Sequence, residues 1–293
     1  MKNCNKKIIL DAKEKKYAIA QININNLEWA KSVLQTAQEL KSPIILGFTE
    51  NSINYMGGFK CVYNLIKEMV IFYNITIPII LHLDHGTFDS VFKAIDVGFN
   101  SVMFAGSNYN LEENLKKTQK IVKYANLKGV LVESEIGNIG DEEEQNFNLQ
   151  NNNNSLADPF ACKLMSDLGV DMLSVGINNS HGIYSSEWEG INFQLLNKIK
   201  KETSSISLVL HGGSGISEEM LKKSIELGIV KINFNTEFQI SFAKAIRKYI
   251  EAKKDLNILE KGFDPRKLLF PGCLAIKELM RKKLYTLGSI NRY

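Results

Sequence analysis

Ser207-Leu208-Val209-Leu210-His211, the amphipathic stretch Glu218–Leu227, and Val230-Lys231-Ile232-Asn233-Phe234 make up the passage on which the fold is read. Two short runs of β-type residues bracket one helical pattern. Each run is apolar in near-continuous fashion rather than at every second position, as a parallel strand covered on both faces should be. Working outward, the same kind of run recurs at Tyr17–Ile22, Ile44–Phe48, Ile79–Leu83, Ser101–Phe104, Val130–Ile136 and Met172–Val175. Amphipathic stretches stand between them at Leu27–Leu40, Phe59–Tyr73, Glu112–Asn126 and Pro159–Leu168. Strict alternation of strand and helix predicts a parallel α/β architecture. Eight such strands in 293 residues favour a closed (β/α)8 barrel of the TIM type, one domain over 1–293. A doubly wound open sheet is the alternative. Its Gly-rich dinucleotide turn is missing, because Gln21-Ile22-Asn23-Ile24-Asn25 follows the first strand's start.

Two segments stand outside the repeat. Residues 137–157 are acidic and then Asn-rich, too polar to be buried, and are expected to form a mobile loop. From Asp264 to Tyr293 the chain is basic with a helical stretch at Leu274–Leu287, expected to close the barrel or to contact another subunit. The formal net charge is +4 and the lysines are dispersed, which argues against nucleic acid as a partner. The four cysteines are far apart, without the paired spacing of a disulfide framework or a cysteine zinc site. No apolar run reaches the ~18 residues of a membrane span, and the polar start does not read as a signal peptide. The expected compartment is the cytoplasm.

The chemistry is read from four histidines, His82, His85, His181 and His211, at or just beyond the ends of strands three, six and seven. That rim is where barrel enzymes assemble their sites. A catalytic zinc takes three protein ligands and keeps one open position, and His85, His181 and His211 supply such a set. The bland alternative is that each is a rim residue or a cap. Asp84, beside His85, moves a proton on a substrate hydroxyl, caps the next helix, or does both. His211-Gly212-Gly213-Ser214-Gly215-Ile216 and the strand-eight segment Lys231–Glu237 suit a phosphate, because glycines let backbone N–H groups approach an anion. In the acidic run Asp141–Glu144, one carboxylate carried inward by loop closure could exchange a carbon-bound proton.

Taken in order, these motifs resemble the class II fructose-bisphosphate aldolases, tagatose-bisphosphate aldolases included. The resemblance runs from Tyr17 to Arg292 and includes Gln21–Glu28, Leu81–Gly86, Val132–Gly137, Ser180–Tyr184, Leu208–Ile216, Val230–Glu237 and Asp264–Lys267. It implies zinc or another divalent metal on His85, His181 and His211. It implies Asp84 as the shuttle for the hydroxyl proton at the breaking bond, and Glu143 as the loop carboxylate that exchanges the carbon proton. Gly182, Gly212, Ser214, Asn233, Asn235 and Thr236 would position the ketose phosphate, with Asn23 and Thr49 nearby. A monovalent cation, Na+ or K+, beside the phosphate is implied as well. Glu135 matches a carboxylate associated with the site, and Arg266 would reach the distal phosphate, across a dimer interface; the implied assembly is a homodimer or homotetramer.

The chain departs from the family pattern at Ala105, where Asp is usual, and at Ile177-Asn178-Asn179-Ser180, where small residues are usual. Two asparagines there would crowd the phosphate pocket or add amide contacts. Asn51 and Gln239 also differ from common family residues. Three other readings therefore stand beside fructose-bisphosphate cleavage. One is a sibling ketose-phosphate aldolase, another a non-catalytic binding relative, and the third an imine-forming aldolase using Lys231.

Overall fold

The computed structural model describes residues 2–139, 156–203 and 206–293, with side chains from Asn5 onward. The acidic run Asp141–Glu144, with Glu143, and most of the loop expected at 137–157 lie outside the described residues.

Eight parallel strands form one closed barrel: β1 (Ile19–Asn23), β2 (Ile44–Phe48), β3 (Ile79–Gly86), β4 (Ser101–Phe104), β5 (Leu131–Ile136), β6 (Met172–Val175), β7 (Ser207–Leu210) and β8 (Ile229–Phe234). β1 pairs with β2 on one side and with β8 on the other, so the sheet has no open edge. The open-sheet alternative is thereby removed. Each strand falls on one of the apolar runs, displaced by at most two residues at its start. The helices are α1 (Lys2–Glu14), α2 (Leu27–Glu39), α3 (Glu50–Tyr55), α4 (Phe59–Phe72), α5 (Phe88–Val97), α6 (Leu111–Lys128), α7 (Pro159–Asp167), α8 (Phe193–Glu202), α9 (Glu218–Glu226), α10 (Thr236–Glu251) and α11 (Pro265–Thr286).

The barrel interior is graded. At its N-terminal end Ile19, Ile45, Ile80, Leu131 and Val230 form an apolar floor, which Ile8, Ile9 and Ala12 of α1 cover from below. Nothing in the amphipathic reading flagged α1, whose basic stretch Lys6-Lys7 masks three inward-facing apolar residues. Above the floor the same strand faces turn polar, with Gln21, His82, Glu133 and Lys231 all fully enclosed. Alternation of side chains along a strand then delivers Asn23, Asp84 and Asn233 to the rim, two residues further on.

The C-terminal extension closes against helices of its own barrel. α11 packs against α10 and α2, burying Ile276, Met280 and Leu284, and Leu287 accepts a hydrogen bond from Ala18 N–H at 3.1 Å.

Candidate active site

β3 ends in a local irregularity that builds the site. Successive strand residues point to opposite faces, so Asp84 and His85 should not share one. The register against β4 shifts between Leu83 and Gly86, and His85 adopts a left-handed φ of 49°. This conformation is uncommon for a residue with a side chain, and it swings His85 into the mouth beside Asp84. Thr87, not Asp84, caps α5: its hydroxyl accepts from Ser90 N–H. The capping alternative for Asp84 therefore falls away.

His85, His181 and His211 come together from β3 and the ends of β6 and β7. One ring nitrogen from each lies within 4.8 Å of the others. The ring centroids are 5.0, 4.8 and 5.7 Å apart. His85 Nε2 and His211 Nδ1 approach to 3.0 Å. Three imidazoles gathered this tightly, two of them buried, suit a divalent cation of borderline softness. His82 differs from the rim position expected for it. It sits inside the barrel, its Nδ1 2.7 Å from Ser101 Oγ.

Asp84 is gripped on both oxygens. Asn23 Nδ2 donates to Oδ2 at 3.0 Å and Asn233 Nδ2 donates to Oδ1 at 3.3 Å. Gln21 Nε2 in turn donates to Asn23 Oδ1 at 3.1 Å. Burial alone would raise the Asp84 pKa, but the neighbouring imidazoles of His85 and His211 and the Lys231 ammonium outweigh it and hold the carboxyl well below the usual range. Asp84 is thus an acceptor of protons and hydrogen bonds at neutral pH. His211 is pushed well below the ordinary histidine range by burial, and His85 adds to the effect, so its imidazole is neutral and has a lone pair to offer.

Asn23, Asp84, His181, Asn233 and Asn235 line a pocket whose other wall is Gly182, Gly212, Ser214 and Thr236. Gly212 has φ 66°, and a Cβ there would lie 2.0 Å from the Ser180 carbonyl oxygen. The glycine is what permits the β7 loop to lie against the loop carrying His181. α10 begins at Thr236, which lines this wall, so the helix N-terminus lies at the pocket, with Glu237 N–H donating to Ser214 Oγ at 3.2 Å. Beyond Asn23 and Asn235 a groove of about 470 Å³ is lined by neutral groups, among them Asn25, Thr49, Asn51, Tyr55 and Gln239. Thr49 also caps α3. Glu135 Oε2 lies 3.9 Å from His85 Nδ1. Arg266 is 90% exposed and paired with Asp264 at 2.6 Å, apart from the residues that line the pocket and groove.

The asparagine pair does not crowd the pocket. Asn178, at φ 71°, donates to the Gly190 carbonyl at 2.8 Å. Asn179 accepts from Ile177 N–H and donates to the His211 carbonyl at 3.1 Å. Tyr184 adds a second tie, its hydroxyl donating to the Gly212 carbonyl at 2.8 Å. The loops that carry His181 and His211 are thus bound to one another. Sequence reasoning assigned no role to Tyr184, Glu133 or Gln21. A charged residue such as Glu133 within a strand covered on both faces was the available signal, since such residues are rarely buried unless paired.

A closed parallel barrel whose mouth joins an imidazole cluster to a glycine-lined pocket defines a (β/α)8 barrel with a site able to hold a metal ion. The comparisons give the family: the model for class II fructose-bisphosphate aldolase matches residues 3–292, and the chain belongs to that family. It is 46% identical to the fructose-bisphosphate aldolase of Mycoplasma genitalium, over 98% of this chain and 99% of that one. It is 39% identical to that of Streptococcus pyogenes serotype M1, covering 98% and 97%. Among solved structures, the YdjI aldolase of Escherichia coli K12 superimposes with a TM-score of 0.79 at 29% identity, covering 98% and 97%. The fructose-bisphosphate aldolase of Campylobacter jejuni has a TM-score of 0.81 at 22% identity, covering 98% and 95%, a likeness of fold. The chain is an aldolase of a metal-dependent family.

Proposed function

We propose that the protein reversibly cleaves fructose 1,6-bisphosphate into dihydroxyacetone phosphate and glyceraldehyde 3-phosphate, in glycolysis and gluconeogenesis. One observation carries this reading: the Asp84 carboxylate, held by two amides, lies in the same pocket as His181, one of three clustered imidazoles. Zinc on His85, His181 and His211 would supply Lewis acidity toward a ketone oxygen on which negative charge develops.

The residues of the chain do the rest. Asp84 accepts the proton of the hydroxyl on the carbon being released, and Asn23 and Asn233 keep its lone pairs aimed at that proton. The wall formed by Gly182, Gly212, Ser214 and Thr236 receives the ketose phosphate through backbone donors and a helix N-terminus, with Na+ or K+ as a further counter-charge. Glu143 is assigned the return of a proton to carbon. Glu135 is assigned to orienting His85. Arg266 is assigned to the distal phosphate from a neighbouring subunit of a dimer or tetramer, in the cytoplasm.

The test is a cleavage assay on fructose 1,6-bisphosphate before chelation, after chelation and after zinc is returned. Activity lost on chelation and restored by zinc supports the assignment. Activity indifferent to chelation, with borohydride trapping a lysine adduct, refutes it in favour of an imine. The neutral groove with Asn51 and Gln239 favours keeping a second reading, cleavage of tagatose 1,6-bisphosphate, and comparable rates on both sugars would establish dual use.

A further inference from the structure

We infer that Glu133, anchored by Lys231, is a positioning residue that selects which nitrogen of His211 faces the metal centre; this rests on the reading of His211 as a ligand. Glu133, Lys231 and His211 are each 0% exposed. His211 Nε2 lies 3.0 Å from Glu133 Oε1, and Lys231 Nζ donates to Glu133 Oε2 at 2.6 Å. His82 Nε2 lies 3.6 Å from the same Oε2.

A buried ion pair is a poor way to stabilise a fold, since apolar residues of similar volume often serve as well or better. Its presence one layer beneath the rim calls for another purpose. An ionised carboxylate can only accept hydrogen bonds, so the His211 nitrogen facing Glu133 carries the proton. A neutral imidazole has one proton, which leaves the lone pair on Nδ1. That is the nitrogen 3.0 Å from His85 Nε2, on the side where the imidazoles converge. Asn233 Nδ2 lies almost equally far from Nε2 and Nδ1, at 3.2 and 3.3 Å, and favours neither, so it is Glu133 that decides the tautomer, in the manner of carboxylates that orient ligand histidines from behind.

Lys231 holds the second carboxylate oxygen and thereby the plane of the first. It stands two residues below Asn233 on the same face of β8, enclosed beneath the rim. Its ammonium is committed to Glu133 and contributes nothing to the pocket wall. This gives the buried lysine a role other than that of an imine-forming nucleophile.

The near-isosteric Glu133→Gln variant tests the inference. Beside Lys231, the amide oxygen is expected to turn to the ammonium and the amide N–H to His211 Nε2, forcing the proton onto Nδ1. In metal-free protein, nitrogen NMR of His211 should show the Nε2-protonated tautomer for the native chain and the Nδ1-protonated one for E133Q. Zinc affinity, measured by competition with a chromophoric chelator, should fall about 10- to 100-fold, and the metal-free variant, still folded by circular dichroism, should have a lower thermal midpoint because the buried Lys231 ammonium keeps only a neutral partner. A folded E133Q with native zinc affinity and an unchanged His211 tautomer overturns the inference. The His211→Ala variant separates the two levels. If it binds zinc like the native chain, the ligand reading itself has failed; if it loses zinc while E133Q does not, only the role of Glu133 has.

Discussion

Asn23 on β1 and Asp84 on β3 are joined by a 3.0 Å hydrogen bond across the mouth of the barrel, with Asn233 of β8 holding the carboxylate from the other side. Neither amide can donate a proton to Asp84 outright, so the carboxylate is oriented without being neutralised. Replacing Asp84 by Asn keeps the shape and removes the base. Turnover is expected to fall by about 10²- to 10⁴-fold, with zinc content near that of the native protein. Steady-state kinetics alongside metal analysis would show it. Turnover within a few-fold of native would sink the proton-shuttle role.

Gly212 and Gly169 both have positive φ, but their surroundings differ. A Cβ at Gly212 meets the Ser180 carbonyl at 2.0 Å, whereas at Gly169 nothing lies within 4 Å. Gly169→Ala carries the conformational cost alone, about 1–2 kcal/mol. Gly212→Ala adds a clash with backbone that cannot rotate away, for a total of about 2–4 kcal/mol. Denaturant midpoints of the two variants should separate accordingly, and equal losses would contradict the close approach of the two loops.

Acid should weaken the metal-free protein well before its carboxylates titrate. Burial, reinforced by Lys231, holds His82 at about 3, against 6.5 when exposed. The folded chain keeps His82 neutral, while the unfolded chain takes up a proton below pH 6.5. Its contribution to stability is complete above pH 6.5 and declines as pH falls toward 3, by up to ~1.4 kcal/mol per pH unit. His211, depressed in the same direction, adds to the slope. The lowered pKa of Asp84 acts lower still, its contribution present above its ordinary value near 3.8 and lost below. Urea unfolding at pH 7, 6 and 5 measures the trend; a flat profile would show that these imidazoles are not enclosed as described.

Much of this molecule is legible along the chain. The apolar runs from Tyr17 to Phe234 mark the strands because a strand covered on both faces is mostly apolar, and that property is local. His85, His181, His211 and Asp84 could be placed at strand ends for the same reason, whereas His82, also expected at the rim, lies within the barrel. α1 escaped notice because its apolar residues meet a surface, the barrel floor, that exists only after closure.

What tertiary structure alone decided are relations between residues remote in sequence. That His82 lies inside while His85 faces the mouth depends on a register shift against β4 and a left-handed backbone at His85. The asparagine pair at Asn178 and Asn179 could be read as obstruction or as support until their partners, the Gly190 and His211 carbonyls, were in place. The bond from Glu133 to Lys231 spans 98 positions and three strand spacings. Local pattern sets which segments become strands; only the closed ring, by bringing β5, β7 and β8 around one axis, sets which charges must answer one another.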